Sequence, residues 1–513
     1  MSKKLLQSTA VVGSMTLISR VLGFVRDMLL ARFLGVDMAT DAFYIAFKIP
    51  NFFRRLFAEG AFAQAIVPVL TEYQRQGGEA AVKQLVDHTA GVLGLALLAL
   101  TCVGVLAAPL LVLAIAPGFQ WASGQHALAV QLLQITFPYL FFVALVALAG
   151  SILNVYGRFA IPAVTPVLLN ICMILAAVWW APLFEQPVIA LAWGVFIAGV
   201  LQVLLQLPVL WRIGLLPRPR FKPQYAGVRQ IIGLMLPVLF GSSVSQINLF
   251  LDSVFASFLP AGSVSWLYYS DRLVEFPLGI FGLALATAVL PGLAQSYVTA
   301  DQQRFSQALD WGLRWVLVVG VPATIGLVLL AKPLLITMFL YGEFTLPDVA
   351  KSAQSLTAYA FGLVGFMLIR ILVQGFSARQ DHRTPVTLGI YALGANLLFT
   401  ALLVVPLAHA GLALATSLAA FVNAGLLLYR LLQAKVYQPQ SGWWPFCVRI
   451  VVANTLMGTA LYFGVDSELW VFWSASERIW HLLGAVSASI LLYGLGLTVV
   501  GVRWQQLVAA KLI

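Results

Sequence analysis

AAPLLVLAIAPG at 107–118 returns as AKPLLITMFLYG at 331–342, without a gap and 224 residues further on. Three more matches keep nearly the same offset. ARFL at 31–34 pairs with ASFL at 256–259, IVPVLTEY at 66–73 with VLPGLAQSY at 289–297, and Pro162 with Pro385. The offsets stay between 223 and 225, so the chain reads as two copies of one unit. Copies with an even number of membrane spans share one orientation. That is the parallel repeat used for alternating access, with the substrate site between the halves.

Composition says why each copy must be a membrane unit. The 513 residues are 61% hydrophobic and only 10% charged, against roughly 25% charged in a soluble domain, and the mean hydropathy is +0.94. Apolar stretches of the ~20 residues that cross a bilayer recur along the chain, as at 91–116, 163–181, 314–331 and 482–501. Breaks at charged, Pro-rich and Gly-rich points place spans at 8–34, 40–72, 86–116, 127–155, 160–181, 188–211, 229–258, 265–296, 307–340, 352–378, 385–405, 410–432, 445–464 and 480–501. The expected fold is an all-α polytopic membrane protein with 14 transmembrane helices. An N-lobe (1–222) and a C-lobe (223–435) hold six helices each and are joined by the basic linker 212–229. Two C-terminal helices (436–513) have no counterpart in either half.

Orientation follows from Lys and Arg. With the N-terminus inside, the cytoplasmic ends receive Lys3, Lys4, Arg75, Lys83, Arg158, the linker cations Arg212, Arg218, Arg220, Lys222 and Arg229, and then Arg304, Arg379, Arg383, Arg430, Lys435, Arg503 and Lys511. The outer side holds only Arg32, Lys332, Lys351 and Arg478. This is the positive-inside asymmetry, and an even span count puts both termini in the cytoplasm. The N-terminal MSKKLLQSTAVVGSMTLISR has no A-x-A cleavage site and runs into a charged motif, so it reads as a retained first span. The net charge of +11 suits anionic lipid or an anionic substrate, although cytoplasmic loops alone could account for most of it.

The first two spans carry more charge than lipid tolerates. Arg20, Arg26, Asp27, Arg32, Asp37, Asp41, Lys48, Arg54, Arg55 and Glu59 lie within forty residues, six cations against four anions. A charge at the bilayer centre costs roughly 2.5–3.5 kcal/mol, so these side chains are expected to face a wet cavity or each other. Asp41 and Lys48, two helical turns apart, are expected to share a face, as are Arg55 and Glu59. The second copy offers Asp271, Arg272 and Glu275 at the matching place. The cavity is therefore expected to be hydrated and net cationic. Its arginine forks suit bidentate binding of phosphate oxygens, with a pyrophosphate headgroup as the natural ligand. The competing reading is a set of intramembrane ion pairs that only fixes helix packing.

Several chemistries are not visible in the sequence. It holds no G-x-x-x-x-G-K-[ST] loop for ATP, no C-x-x-C, no H-E-x-x-H and no aspartate-rich Mg²⁺ motif. Cys102, Cys172 and Cys447 lie far apart in apolar stretches, which is neither a metal site nor a disulfide framework. A transporter, not an enzyme, is expected, with no cofactor.

SRVLGFVRD (19–27), ATDAFYIAFKIPNFFRRLFAEGAF (39–62) and SVSWLYYSDRLVEFPLG (263–279) closely resemble the MurJ (MviN) family over essentially the whole chain. These are bacterial lipid II flippases of the multidrug/oligosaccharidyl-lipid/polysaccharide exporter superfamily. The resemblance implies a bacterial inner-membrane protein that moves lipid II, the undecaprenyl-diphosphate-linked peptidoglycan precursor, from the inner to the outer leaflet. It implies two lobes around a central cationic cavity, and an apolar groove for the polyprenyl tail on spans thirteen and fourteen. Substrate-binding positions carry over to Arg20, Arg26, Arg54, Arg272, Asn51 and Ser265. Cavity-shaping positions carry over to Ser19, Asp41 and Glu59, to which the charge pattern adds Lys48, Asp271 and Glu275. Drive is expected from the membrane potential or from a coupling ion, H⁺ or Na⁺. For sodium, Asp252, Asn396 and Thr400 offer oxygens. Membrane lipids and cell-wall synthesis machinery are expected partners, nucleic acid is not, and a monomer is expected. The alternatives are an exporter of another polyprenyl-diphosphate-linked glycan, a multidrug or cation antiporter of the same fold, a membrane glycosyltransferase, or a scaffold.

Overall fold

The computed structural model describes the backbone of residues 3–56, 62–121 and 124–502, with all of their side chains except those of 3–11, 62–63, 121 and 238–249. Helices account for nearly all of it, and among the described residues there is no strand. Lipid offers backbone amides no hydrogen-bond partner, so a spanning chain must satisfy them within each helix. Two compact units divide the chain, Met1–Ser265 and Trp266–Ile513.

The first unit contains α1 (Lys3–Leu34), α2 (Met38–Leu56), α3 (Phe62–Leu106), α4 (Ala108–Ile115), α5 (Gln125–Thr136), α6 (Tyr139–Val155), α7 (Ala160–Leu175), α8 (Pro187–Arg212) and α9 (Ala226–Ala256). Here α1 packs on α7, α2 on α5, α3 on α6, and α8 on both α6 and α7. α10 (Ser263–Pro277) runs from the end of this unit into the second.

The second unit continues with α11 (Leu283–Val298), α12 (Gln302–Leu329), α13 (Ala331–Phe339), α14 (Leu346–Ser377), α15 (Arg383–Gln433), α16 (Trp443–Gly464) and α17 (Ala475–Val499). Within it α14 packs on α15 and α12, α11 on α12, and α16 on α17 and α12. The stretches quoted first from the sequence form the same local structure in each unit. Each gives a short helix, α4 or α13, directly behind a long one, with Pro109 or Pro333 in its opening turn, where the missing amide costs nothing.

Among the described residues, ten helical stretches, from Gln64–Leu106 to Ala475–Val499, are apolar and long enough to cross a membrane. α2 is not among them, since its 19 residues include Asp41, Lys48, Arg54 and Arg55. The count falls below the fourteen expected partly because two stretches each cover two predicted segments. α15 has 51 residues. As one straight helix it would run about 77 Å, more than twice the ~30 Å hydrocarbon core. Its backbone breaks at Ala408 (φ 48, ψ −127), which leaves two pieces of membrane length. α3 breaks in the same way at Gly78 (φ 64, ψ −160), a conformation that glycine adopts without a steric penalty.

Candidate functional site

The charged residues of α1 are held by a neighbour from α7. Arg26, only 5% exposed, donates from Nε and Nη2 to Asp27 Oδ1 at 2.9 and 2.6 Å, and from Nη1 to Asn170 Oδ1 at 3.0 Å. Asn170 Nδ2 in turn donates to the Ser19 carbonyl at 3.0 Å. One amide side chain thus links the Ser19 and Arg26 positions and fixes the guanidinium plane. Sequence reasoning missed Asn170, a neutral residue in an apolar run whose only signal was being the one amide in IPAVTPVLLNICMIL. Arg20 is exposed and Ser19 half-buried on the same helix.

On α2 the expected Asp41–Lys48 pair gives way to other partners. Asp41 is buried, and its Oδ2 accepts the Gly262 amide at 2.7 Å. Its Oδ1 accepts the Ser265 amide at 2.8 Å and the Ser265 hydroxyl at 2.6 Å. The carboxylate therefore caps the opening turn of α10, where helix amides have no partner of their own. Lys48 donates to Ser253 Oγ on α9. Seven residues of helix separate the two charges by about 10 Å along the axis, so nearer groups on other segments win. Further along α2, Arg54 Nε donates to Asn51 Oδ1 at 3.0 Å, and both side chains are half-buried. Glu59, the predicted partner of Arg55, lies outside the described residues.

In the second unit Arg272 donates to Glu275 Oε2 at 2.8 Å and to the Tyr268 hydroxyl at 3.1 Å. Its Cζ stands 5.0 Å from the Tyr268 ring centroid, so it makes charge, hydrogen-bond and cation–π contacts together. Asp271 is half-buried beside it. Asn396 and Thr400, one turn apart on α15, are both 1% exposed. Thr400 Oγ1 has no hydrogen-bond partner among the described residues, and such oxygens suit a hard cation. Asp252 is half-buried on α9. Among the described residues no cluster of three His, Cys, Asp or Glu side chains forms a metal site.

Two cavities adjoin the C-terminal helices. One of about 430 Å³ lies between α12 and α16, lined by Val321, Ile325, Leu329, Val451, Gly458 and Phe463 among others. The other, about 610 Å³, lies between α16 and α17 and ends at Trp470, Trp473, Trp480 and His481. His481 stacks on Trp473 at 3.8 Å.

Sequence reasoning also missed two buried aspartates outside these spans' charged motifs. Asp87 on α3 accepts the Arg218 amide at 2.7 Å, and Lys83 beside it donates to the Leu216 carbonyl at 2.7 Å. Asp310 on α12 accepts the Tyr437 hydroxyl at 2.7 Å, the Trp443 indole at 2.6 Å and the Gln440 amide at 3.2 Å.

Comparison with known proteins gives the family and the fold. The model of the family "Lipid II flippase MurJ" matches residues 30–480. The probable lipid II flippase MurJ of Vibrio cholerae is 46% identical, over 99% of this chain and 98% of its own length. A solved lipid II flippase MurJ in an inward closed conformation matches with TM-score 0.78 and 25% identity, over 96% of this chain and 98% of that one. An inward-facing MATE family multidrug resistance transporter of the MOP superfamily shares the fold, with TM-score 0.68 and 14% identity over 83% of this chain and 98% of its own. On the family match and the full-length relative together, the chain belongs to the lipid II flippase MurJ family.

Proposed function

We propose that this chain carries lipid II from the inner to the outer leaflet of the bacterial inner membrane by alternating access. The observation that carries the reading is the set of arginines kept inside membrane helices, Arg26 by Asp27 and Asn170, Arg54 by Asn51, and Arg272 by Glu275 and Tyr268. Arginine is costly in lipid, and orienting partners make planar forks ready for a diphosphate. Asn51 adds a neutral donor and Arg20 an exposed cation, while Ser265, buried with its hydroxyl proton given to Asp41, acts by holding Asp41 in place. Asp41, Ser19, Lys48, Glu59, Asp271 and Glu275 shape the surface around them.

The cycle begins with the arginines open to the cytoplasm. The diphosphate neutralises them, the polyprenyl tail stays on the apolar surface of α16 and α17, and the protein turns outward and releases the head. The chain acts as a monomeric transporter, not an enzyme, with 14 spans and both termini cytoplasmic. Its lobes are 1–222 and 223–435, and 436–513 serves the tail. Cell-wall synthesis enzymes take over the exported lipid. The drive is the membrane potential, or a sodium or proton gradient, with Asn396 and Thr400 supplying oxygens if the ion is sodium. A multidrug or cation antiporter would need anionic recognition groups in place of these arginines.

The test uses cells depleted of their own lipid II flippase and expressing this protein. A membrane-impermeant hydrolase added outside should cleave lipid II, and Arg26→Ala should abolish the cleavage while the protein still inserts. Lipid that stays protected with normally inserted protein would sink lipid II as cargo and direct attention to other polyprenyl-diphosphate glycans.

A further inference from the structure

The segment between α15 and α16 crosses the opening turns of α12, where three residues spaced by four form one face. Ser306 Oγ accepts the Gln438 amide at 3.1 Å. Asp310, 3% exposed, collects Tyr437, Gln440 and Trp443 through Oδ1, and its Oδ2 pairs with Arg314 Nε at 2.7 Å. Arg314 also donates to the Ser441 carbonyl at 3.1 Å. Its Cζ lies 5.2 Å from the Trp443 ring and 5.4 Å from the Phe446 ring, the first residues of α16.

Beyond this clamp the α12–α16 seam continues as an apolar core. Val318 packs with Phe446, Ile450, Ala453, Met457, Tyr493 and Leu497, and the Tyr493 hydroxyl ties α17 to the Val318 carbonyl at 2.8 Å. Next along the same seam comes the cavity of about 430 Å³. Clamp, core and cavity follow one another, so the clamp sets how far apart the cavity walls stand.

The other copy of the repeat shows what is particular here. Gly91 stands where Arg314 does, at the 223-residue offset, and the Arg220 carbonyl passes directly over it. The first linker is thus held through its backbone at Leu216, Arg218 and Arg220 and through the Tyr225 ring stacked on His88, with no cation at this position. The second is held by a cation that reaches past the linker to the tail helix.

We propose that Asp310 and Arg314 are positioning residues that fix α16 and α17 on α12, and so set the site for an isoprenoid chain in the α12–α16 cavity. This rests on the function proposed above. The occupant is a lipid chain because the walls are mostly apolar, with Asn454, Thr455, Thr459 and Tyr462 the exceptions, and Val451 and Phe463 are largely exposed on a helix long and apolar enough to span a membrane.

The experiment uses the full chain in proteoliposomes with two probes, lipid II bearing an undecaprenyl tail and the same head on a three-isoprene tail. Wild-type protein should move the long-tailed probe faster, since remote binding contributes to the rate. Asp310→Asn keeps the side chain's size but removes its attraction for Arg314. It should slow the long-tailed probe about tenfold and the short-tailed one by less than about twofold. Arg314→Lys, which keeps the charge but loses the fork, should act in the same direction. A parallel fall for both probes, or a preference left intact in both variants, overturns the positioning role. Wild-type protein that moves both probes equally overturns the tail reading and this proposal with it, whereas a wild type that moves neither removes the proposed function itself.

Discussion

Asp87 and Asp310, 223 residues apart, each gather the linker that leads out of their own copy of the repeat. Asp87 Oδ1 accepts the amide of Arg218, and Asp310 Oδ1 that of Gln440. Pro217 and Pro439 immediately precede those amides and restrict the backbone there. Around them, VKQLVDH (82–88) and FSQALDW (305–311) share a glutamine and the aspartate in register. The duplication therefore extends beyond the helices to the way each linker is held.

Asp87→Ala should be destabilising. It removes the acceptor for part-exposed Lys83 and for the Arg218 amide, and leaving such donors without their acceptor costs about 1–3 kcal/mol. Asp87→Asn retains one acceptor oxygen and should cost clearly less. Thermal unfolding of detergent-purified protein at a fixed scan rate orders the two variants, and equal midpoints would remove the clamp from the account.

Gly91→Ala tests the same contact from the other side. A Cβ there meets the Arg220 carbonyl and its neighbouring backbone atoms, which cannot rotate away as a side chain can. Overpacking of this kind costs about 1–3 kcal/mol. The same unfolding measurement should show the loss, together with faster proteolysis in the 215–225 segment.

Asp41→Ala should cost about 3 kcal/mol, because three donors lose one carboxylate. Ser265→Ala removes only the hydroxyl bond and should cost about 1 kcal/mol. The double variant should lose less than the sum of the two, since both act on one contact. Strict additivity in unfolding midpoints would show that the observed pairing contributes nothing.

What was legible in the sequence was whatever lipid enforces locally. An apolar run of membrane length is a helix, and a charge within it is conspicuous, so Arg26, Arg54 and Arg272 could be named from one strand of text. Their partners could not. Asn170 is 144 residues from Arg26, and nothing in an apolar helix announces which neighbour its amide meets. Asp41 and Lys48 were paired by helix periodicity, a rule that counts only residues on one helix; Ser253 and Ser265 arrive from distant segments and take both. The break at Ala408 was placed correctly by hydropathy to within a few residues, since the chain must turn where the apolar length runs out. Its left-handed backbone at a non-glycine residue carried no signal.

Asn170→Ala should impair transport without touching a charge. It releases Arg26 Nη1 and the Ser19 carbonyl together, so the guanidinium keeps its pair with Asp27 but loses its fixed plane. Activity should fall about tenfold, the effect of mispositioning a binding group, against near-complete loss for Arg26→Ala. External cleavage of lipid II at matched protein levels measures both. Full activity in Asn170→Ala would assign Arg26 a purely structural pair with Asp27.

The last prediction concerns the drive. Between Arg20 and Glu59 cations exceed anions by two, so the empty binding surface is positive and the loaded one is neutral or negative. An inside-negative potential then favours the inward return of the empty surface, and the outward leg as well when the loaded surface is negative. One charge crossing the whole field is worth ~2.3 kcal/mol per 100 mV. If a charge crosses about 60% of the field, collapsing 100 mV should slow turnover about tenfold. In proteoliposomes the potential can be collapsed with potassium and an ionophore while pH and sodium stay equal on both sides. A tenfold loss would identify the potential as the drive. A rate that ignores the potential but follows an imposed sodium gradient would move the coupling to the buried oxygens of Asn396 and Thr400, and Thr400→Val should then abolish the sodium dependence.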